Sequence, residues 1–401
     1  MAASWSIEEY DSTEVAAAEL SEEDVDYLRE NLDSEIDITP PWTGTDGQWV
    51  LYNNGYIGHI QLPSGNSIEL APRTDMGDVF GMLEYAYDLD VFQLDEDLYD
   101  SDTVEGFYDK VANILAQGVN KRRREGLYQS YQDREERTQK VRGRIDFRET
   151  LKKPWSTDVA VKYREMTADN EENQILLYTL YRVSRSGFAR DQTLERTRQA
   201  IRSLRDVIQY KEFKPSDCTG RQYNRLNQDY ERLHALCRLI LDTSGPSQES
   251  GDARMVPYRV RAFDLYELFV YRWLKRNLSD PYEVDFQDKP ELGSTGLNYE
   301  IDDVIKDGGG QPVCVLDTKY REPDKNPKSE EVSQVLGYAK RKNVEHAFLV
   351  YPRAVGPGFP LELGGVQIHT AKFGISGDLE VNGEAFLEQV SGAMSLPSLQ
   401  T

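Results

Sequence analysis

The feature that most constrains the fold is a pair of short apolar segments on either side of a glycine-rich turn. Residues 299–305 (YEIDDVI) and 313–320 (VCVLDTKY) have the composition of strands, and 306–312 (KDGGGQP) has that of a tight connection. Together they predict a β-hairpin centred on Gly310. The second strand is apolar enough to be buried, so the hairpin should belong to a folded core.

Three charged residues interrupt this hairpin. Asp317 and Lys319 are two residues apart, so their side chains point to the same face of the strand. Asp303 and Asp317 lie symmetrically about the centre of the turn, and in a regular hairpin they would face each other. Burying two carboxylates and a lysine without partners is costly, so this combination indicates a site rather than a core face.

These residue types suit a divalent cation. Mg²⁺ prefers oxygen ligands and keeps several waters, so the carboxylates of Asp303 and Asp317 with the backbone carbonyl of Thr318 would form a suitable set. A metal ion held there acidifies a water molecule and stabilises negative charge on a phosphate. We expect Lys319 to position the attacking water.

Two predicted helices accompany the hairpin. Residues 263–276 (FDLYELFVYRWLKR) place Glu267 among apolar residues, and we expect it to support the metal or its waters. Residues 330–342 (EEVSQVLGYAKRK) place Gln334 and Tyr338 four residues apart on one helix face. An amide and a phenol on one face could bind a backbone phosphate.

The net charge of −23 over 401 residues is unevenly distributed. Residues 1–109 contain 2 basic and 27 acidic side chains, whereas 110–250 contain 28 and 20, and 251–401 contain 17 and 23. The acidic front segment would repel DNA, so we expect it to meet a protein partner or, in a halophilic host, concentrated salt. The rest of the chain could approach a polyanion.

The strongly charged stretch at 121–148 allows two interpretations. The first is a solvated helix followed by a turn at Gly143, and the interleaved acidic residues favour it. The second is a surface for phosphate or an acidic partner, in which Arg122, Arg123 and Arg124 would contact DNA or protein.

Residues from about 170 to 242 have a helical pattern. One apolar face would consist of Leu226, Tyr230, Leu233, Cys237 and Ile240. His234 lies beside that face and is interpreted as a helix-face histidine rather than a ligand.

These patterns predict an α+β multidomain protein. We expect an acidic N-terminal α+β domain at 1–110 that is rich in strands and docks a partner, a mainly helical middle region at 111–243, and an α/β domain at 252–392. A Ser-Gly-Pro-rich linker at 244–251 marks the second boundary. No apolar run reaches the ~18 residues of a membrane span, and the acidic start lacks a signal-peptide pattern. We therefore expect a soluble cytoplasmic protein without membrane contact.

The helix–hairpin–helix arrangement resembles the PD-(D/E)XK nuclease superfamily. Gln334 and Tyr338 are similar to the QxxxY element of its RecB-like and Cas4-like branch. Asp302 stands where a proline usually precedes the first aspartate, so Asp302 competes with Asp303 for the metal. Two apolar residues follow Asp303 as in the family pattern, and on that ground we prefer Asp303. The resemblance implies a restriction-endonuclease-like fold for 252–392 and Mg²⁺-dependent phosphodiester hydrolysis.

Further segments resemble the McrC family, the nuclease subunit of the McrBC 5-methylcytosine restriction system. They are SIELAPR (67–73), EGLYQSYQDREERTQKVRGRIDF (125–147), YREMTADNEENQILLYTLYRV (163–183) and AFLVYPR (347–353). Thr167, Asp169, Asn170 and Asn173 form a T-x-DN-x-x-N element, which we interpret as a helix N-cap, with a role at a partner interface as the alternative.

The resemblance implies a partner, a hexameric AAA+ GTPase (McrB) that recognises methylated double-stranded DNA and translocates. The N-terminal region of this chain would dock on that motor and stimulate its GTP hydrolysis. The chain itself has no G-x-x-x-x-G-K-[ST] sequence, so we do not expect it to hydrolyse nucleotide.

The principal hypothesis is therefore a Mg²⁺-dependent DNA endonuclease subunit of a restriction system that acts in antiviral defence. One alternative is a non-catalytic adaptor that activates the AAA+ GTPase and keeps the nuclease core as a scaffold. Another is a stand-alone repair nuclease of the RecB or Cas4 kind.

Overall fold

The computed structural model describes residues 3–43, 47–87, 104–186, 189–243, 258–288, 300–321, 326–356 and 359–394. They form two compact units. One combines Met1–Val104 with Tyr258–Thr401, and the other is Glu105–Pro257. The described residues contain four β-sheets and ten α-helices, so the chain is mixed α/β.

The front part of the first unit consists of short strands and two helices. In chain order these are β1 (Ser4–Glu8), β2 (Ser12–Ala16), α1 (Glu22–Asn31), β3 (Ile36–Thr39), β4 (Gln48–Asn53), β5 (Tyr56–Gln61), β6 (Ser67–Ala71) and α2 (Met76–Ala86). Strands β2, β4 and β3 form one antiparallel sheet, and β1, β6 and β5 belong to another. The turns Asn53-Asn54-Gly55 and Pro63-Ser64-Gly65 separate β4, β5 and β6. Their inward side chains, among them Leu51, Ile60 and Ile68, form one buried cluster.

Part of the N-terminal acidity caps a helix. Ser21 precedes α1 and accepts a hydrogen bond from the Asp24 backbone N–H, while the Asp24 carboxylate accepts one from the Ser21 N–H. This reciprocal capping and the acidic first turn of α1 stabilise the positive end of the helix dipole. The negative charge here therefore has a local structural role.

The second unit combines helices with a small sheet. Its elements are α3 (Val104–Glu125, which begins at the boundary), β7 (Ser130–Thr138), β8 (Arg144–Ile145), α4 (Phe147–Leu151), β9 (Val159–Thr167), α5 (Glu171–Ser184), α6 (Asp191–Leu204) and α7 (Gln228–Thr243). Strands β7 and β8 pair antiparallel to either side of β9. The sheet was not expected in this region.

The prediction of a helix across 121–148 is correct only as far as Glu125. The charges beyond it lie on β7, where cross-strand ion pairs such as Glu135 with Lys162 (2.6 Å) stabilise the strand. The turn at Gly143 is confirmed. Its φ is +72°, and a Cβ there would lie 2.5 Å from the Lys162 carbonyl oxygen, so only glycine fits.

The long helical stretch predicted from about 170 to 242 is three helices. Residues 205–227 lie outside them apart from a short 3₁₀ helix at Pro215–Cys218. Leu226 precedes α7 and is 65% exposed, so its assignment to the apolar face was wrong. The remaining members of that face are buried as predicted: Tyr230, Leu233, Cys237 and Ile240.

The T-x-DN-x-x-N element caps α5, which confirms the structural interpretation. The Asn170 side chain accepts a hydrogen bond from the Asn173 N–H at 3.1 Å. Asn173 is fully buried, donates to the carbonyl oxygen of Tyr128 at 2.9 Å and accepts from the Tyr230 hydroxyl at 2.6 Å. The element thus ties the start of α5 to α7 and to the chain that leads into β7.

His234 is a buried, neutral helix residue. Its Nε2 lies 3.0 Å from the Glu172 carbonyl oxygen, and its Nδ1 lies 2.8 Å from the Tyr223 hydroxyl. Because a carbonyl only accepts, the proton sits on Nε2 and Nδ1 accepts from the tyrosine. Burial lowers the pKa of His234 to about 4.

The chain then returns to the first unit. Its elements are β10 (Tyr258–Arg261), α8 (Ala262–Asn277), β11 (Glu283–Asp288), β12 (Ile301–Lys306), β13 (Pro312–Thr318), α9 (Ser329–Lys342), β14 (His346–Tyr351), β15 (Leu361–Leu363), β16 (Val366–Lys372) and α10 (Leu379–Met394). Strand β10 pairs with β5 and completes the sheet β1-β6-β5-β10. The others form a six-stranded sheet of order β11-β12-β13-β14-β16-β15, in which β13, β14 and β16 are parallel.

Helices pack closely on this six-stranded sheet. Val335 and Ala339 of α9 belong to one buried cluster with sheet residues such as Val315. Helices α8 and α10 approach so closely that a Cβ at Gly383 would lie 2.1 Å from the Trp273 ring. Among the helices of the described ranges, none has both the length and the apolar character needed to cross a bilayer.

A buried ion pair joins the two chain segments that form the first unit. Arg259 of β10 lies 3.0 Å from Glu35, and each side chain is only 8% exposed. Burying both charges is costly, and the pair stabilises the fold only while both partners remain. The strand that returns from the second unit is thus linked electrostatically to the N-terminal segment.

Replacing Glu35 by Gln should destabilise the first unit by about 3 kcal/mol, because Arg259 would be left buried without its counter-charge. Urea unfolding monitored by intrinsic fluorescence measures this loss. Asp264→Asn removes one partner of an exposed pair with Arg261 and serves as the control, with an expected loss below about 1 kcal/mol. Equal losses of unfolding free energy in the two variants would show that the Glu35–Arg259 pair is not important for stability.

Protonation of His234 should destabilise the second unit in mild acid. The pKa is about 4 in the folded state and near the ordinary 6.5 when unfolded, so the unfolded state binds the proton first as the pH falls. Stability should therefore decrease below pH 6.5, by about 2 kcal/mol between pH 7 and pH 5. Thermal unfolding of the wild type and of His234→Gln at both pH values tests this. An identical pH dependence in both proteins would exclude His234 as the cause.

Candidate active site

The register of the hairpin decides which residues meet. Strands β12 and β13 are antiparallel, and Asp303 lies opposite Leu316, not opposite Asp317. The symmetric pairing predicted from the sequence is thus wrong by one residue. The register also shifts between Ile305 and Lys306, where Val313 of β13 is the extra residue of a bulge. Continued along the strands, the observed register places Asp302 across from Asp317.

Asp302 is held firmly at the end of this hairpin. It is 8% exposed, and its Oδ2 accepts hydrogen bonds from the Thr318 backbone N–H at 2.7 Å and from the Thr318 hydroxyl at 2.8 Å. The Asp302 carboxylate therefore takes the place of a backbone carbonyl in the hydrogen bonding between β12 and β13. The orientation of Asp302 is thus determined by β13, the strand that contains Asp317 and leads into Lys319.

A chain of polar contacts runs from β13 to α9. The Lys319 ammonium lies 2.7 Å from Asp317 Oδ2 and donates to Gln334 Oε1 at 3.3 Å. The Gln334 amide in turn donates to the Tyr338 hydroxyl at 2.6 Å. Four of the predicted site residues are thus brought together. Tyr338 is only 3% exposed and packs in the core, so its hydroxyl gives the Gln334 side chain a fixed hydrogen-bond partner.

The carboxylates at this site are crowded. Burial raises the pKa of Asp317 to about 7, and the charge of Asp302 adds to the effect while Lys319 opposes it. Burial also raises the pKa of Glu267 to about 8, again with a contribution from Asp302. Asp302 therefore lies within electrostatic reach of both acids, and its own pKa is raised chiefly by burial. A bound cation would relieve this repulsion.

Glu267 reaches the site from α8. Its side chain is 6% exposed and accepts a hydrogen bond from the Gln287 amide at 3.2 Å. Gln287 has a positive φ of 47°, which breaks the regular pairing of β11 beside Asp303. From this position on β11 the amide contacts Glu267.

Asp303 has different surroundings. It is fully buried, burial raises its pKa well above the ordinary value, and neither carboxylate oxygen has a hydrogen-bond partner within the described residues. The charges of Asp302 and Glu267 raise its pKa further, and burial followed by the charge of Asp303 raises the pKa of the Cys314 thiol. Asp303 thus lies towards Glu267 and Cys314.

The carboxylate oxygens of this site are the type of ligand that a hard divalent cation prefers. Both oxygens of Asp317 are buried without a hydrogen bond in the described part of the chain, although Oδ2 has the ion pair with Lys319. Buried carboxylate oxygens with no donor are what an oxygen-preferring cation would satisfy. Within the described ranges, no three His, Cys, Asp or Glu side chains are already arranged as a metal cluster. A bound ion would therefore use two carboxylates, with backbone oxygen and water completing its shell.

Sequence reasoning missed a second network next to this site. Arg321 forms a two-pronged ion pair with Glu331, with N–O distances of 2.8 and 2.7 Å. The Tyr351 hydroxyl donates to the same carboxylate at 2.9 Å. Glu331 also accepts from the Lys328 N–H and so caps α9. The acidic residue three positions after that cap was the available signal.

The three arginines predicted as a contact surface lie at the end of α3 in the second unit. Arg122 donates to the Leu226 carbonyl oxygen at 3.0 Å and pairs with Asp229 at 3.5 Å. Its contacts therefore link α3 to the start of α7. Arg123 and Arg124 are exposed, and their contact with DNA or protein stays a prediction.

Comparison with known proteins identifies the kind of chain this is. A family model described as McrBC 5-methylcytosine restriction system component matches residues 51–352, which is most of the chain. Among curated proteins no match is found.

Two solved structures from Thermococcus gammatolerans are similar. The first is described as a refined half-complex from a tetradecameric assembly of McrB AAA+ hexamers with bound McrC. It has a TM-score of 0.54 and 16% identity and covers 97% of this chain and 100% of that chain. The second is a cryo-EM structure of the McrBC complex, with a TM-score of 0.41, 14% identity and coverage of 68% and 87%. The first of these likenesses shows a common fold.

Proposed function

Since the chain belongs to the family of McrBC 5-methylcytosine restriction system components, we propose that it is the DNA-cutting subunit of such a system. The observation that carries the proposal is the cluster at the end of the β12–β13 hairpin. Asp302, Asp317 and Lys319 converge there, and Gln334 contacts the lysine from α9. A buried acid pair with a lysine has no evident value as a core feature.

We further propose that α8, the hairpin and α9 form a PD-(D/E)XK nuclease core. The helix with an acidic residue, the strand pair with its carboxylates and lysine, and the following helix occur in the expected order. The contacts between Lys319 and Gln334 support this, because they link the lysine motif to the QxxxY motif.

The site would hold Mg²⁺ through Asp302, Asp317 and the backbone carbonyl of Thr318. Asp303, which we preferred from the sequence, is the alternative ligand. The register favours Asp302, since it lies across from Asp317 whereas Asp303 lies opposite Leu316. When bound, the metal would supply a more acidic water and stabilise charge on the phosphate.

The remaining side chains have distinct tasks. Lys319 would orient the attacking water and stabilise the developing negative charge. Gln334 holds the lysine through its Oε1, and Tyr338 holds Gln334, so α9 determines where the ammonium points. Glu267, with a pKa near 8, is protonated at neutral pH without metal and would release its proton when a cation binds.

We propose a McrB-like AAA+ GTPase hexamer as the partner. The similar solved assembly is described as McrB AAA+ hexamers with bound McrC. The present sequence has no nucleotide-binding loop of the G-x-x-x-x-G-K-[ST] type, so GTP hydrolysis would belong to that partner, which this chain would stimulate. The substrate would be methylated double-stranded DNA, encountered in the cytoplasm.

A second candidate is a non-catalytic adaptor that activates the GTPase. It is favoured by one observation: Asp302 stands where the motif usually has proline, and its Oδ2 is already occupied by Thr318. In that case the hairpin would bind DNA without cutting it. The two candidates differ in whether substitutions at the cluster abolish cleavage.

Asp317→Asn should reduce cleavage of a methylated plasmid by at least about 100-fold, because even supporting residues of metal sites contribute 10–100-fold. The assay contains Mg²⁺, GTP and the partner AAA+ protein, and GTP hydrolysis is followed in parallel. Asp285→Asn, the same change at a surface ion pair with Lys306 on the same sheet, is the control and should cut normally. Cleavage by Asp317→Asn at the wild-type rate would favour the adaptor.

Asp302→Asn should lower cleavage as strongly as Asp317→Asn, whereas Asp303→Asn should stay within about tenfold of the wild type, because only Asp302 is in register with Asp317. Both variants are compared in the same plasmid assay, with unfolding midpoints as a check of folding. The reverse order of sensitivity would restore Asp303 as the ligand.

A further inference from the structure

Two of the segments that carry the family resemblance end at one cavity, and the hairpin motif leads to it as well. Arg73 closes the segment 67–73, Arg353 closes 347–353, and Arg321 follows Lys319 by two residues. All three line a cavity of about 260 Å³ in the first unit, and Lys372 at the end of β16 is a fourth cation there. We refer to it as the arginine cavity.

Basic side chains predominate in the lining of the arginine cavity. Glu9 is the one acidic residue among its described lining, and burial raises the pKa of that carboxyl to about 7. Glu9 is thus only partly ionised near pH 7, and Glu331 balances one of the four cations through its ion pair with Arg321. In a chain of net charge −23, four cations around one cavity are a local exception. An anion bound there would meet several guanidinium and ammonium groups within one cavity.

Two of the arginines are held in place by other groups. Arg73 donates to the Tyr10 carbonyl oxygen at 3.1 Å and lies over the Tyr10 ring, 5.6 Å from its centroid. Arg321 is oriented by its ion pair with Glu331 and lies over the ring of Tyr351. Fixed guanidinium groups lose little entropy when they bind a ligand.

The arginine cavity adjoins the proposed nuclease site. A second, more open cavity of about 770 Å³ has Tyr10, Arg73, Tyr320 and Arg321 in common with it. The lining of this second cavity also includes Lys319. The described surface therefore leads continuously from the lysine of the cluster to the arginine cavity.

We propose that the arginine cavity binds a backbone phosphate of the DNA strand that is engaged at the cluster. The inference rests on the proposed nuclease function and adds a substrate-positioning subsite to it. Guanidinium groups match the geometry of phosphate oxygens and give directed, charge-assisted hydrogen bonds. The continuity with Lys319 favours a phosphodiester chain over a free nucleotide, because one polyanion can occupy both places.

The test measures DNA affinity in EDTA, where no cleavage occurs. Fluorescence anisotropy of a labelled 20-base-pair duplex is recorded for the full-length chain from 25 to 200 mM salt. The double variant Arg353→Gln/Lys372→Gln removes two exposed cations of the cavity and spares the core. We expect about tenfold weaker binding and a salt dependence of log K that is lower by about one unit, as for the loss of one phosphate contact. The control Lys275→Gln, at an exposed residue of α8 outside the cavity, should leave both quantities unchanged.

Several results would overturn the inference. One is unchanged affinity and salt dependence in the double variant, and another is no DNA binding by the wild type at 25 mM salt. Saturable GTP binding that the double variant loses while it keeps wild-type DNA affinity would reassign the cavity to a free nucleotide. Failure here leaves the nuclease proposal intact if Asp317→Asn still abolishes cleavage. Cleavage by Asp317→Asn would refute the nuclease proposal instead.

Discussion

The candidate site depends on a one-residue shift in the register of a single hairpin. Asp303 pairs with Leu316, and continuing this register brings Asp302 rather than Asp303 across from Asp317. Thr318 then fixes Asp302 through two hydrogen bonds to one oxygen. Because successive side chains of a strand alternate in direction, the shift changes which of two adjacent aspartates accompanies the lysine.

Local signals in the sequence were sufficient for many elements of the fold. The glycine-rich turn and both strands of the predicted hairpin are present. Asp317 meets Lys319 and Gln334 meets Tyr338 as expected, since two-residue and four-residue spacings act within one strand or one helix. These predictions required only short-range periodicity.

Features that depend on distant partners were not predictable. The register of the hairpin results from the pairing of β12 and β13 with their neighbours, and no symmetric count about Gly310 could reveal it. Strand β7 has the alternating charges of a solvated helix, and only its partner β9 makes it a strand. Likewise, nothing in β10 alone indicates that it pairs with β5, some 200 residues earlier in the chain. The burial of Arg259 against Glu35 depends on the same long-range pairing.

The most direct test of the central claim is to locate a divalent cation. Crystals of the full-length chain soaked in Mn²⁺ should give an anomalous peak between the carboxylates of Asp302 and Asp317, within coordination distance of both. A peak between Asp303 and Glu267 would show that the register does not select the ligand. No peak near either aspartate would show that this hairpin does not bind the metal.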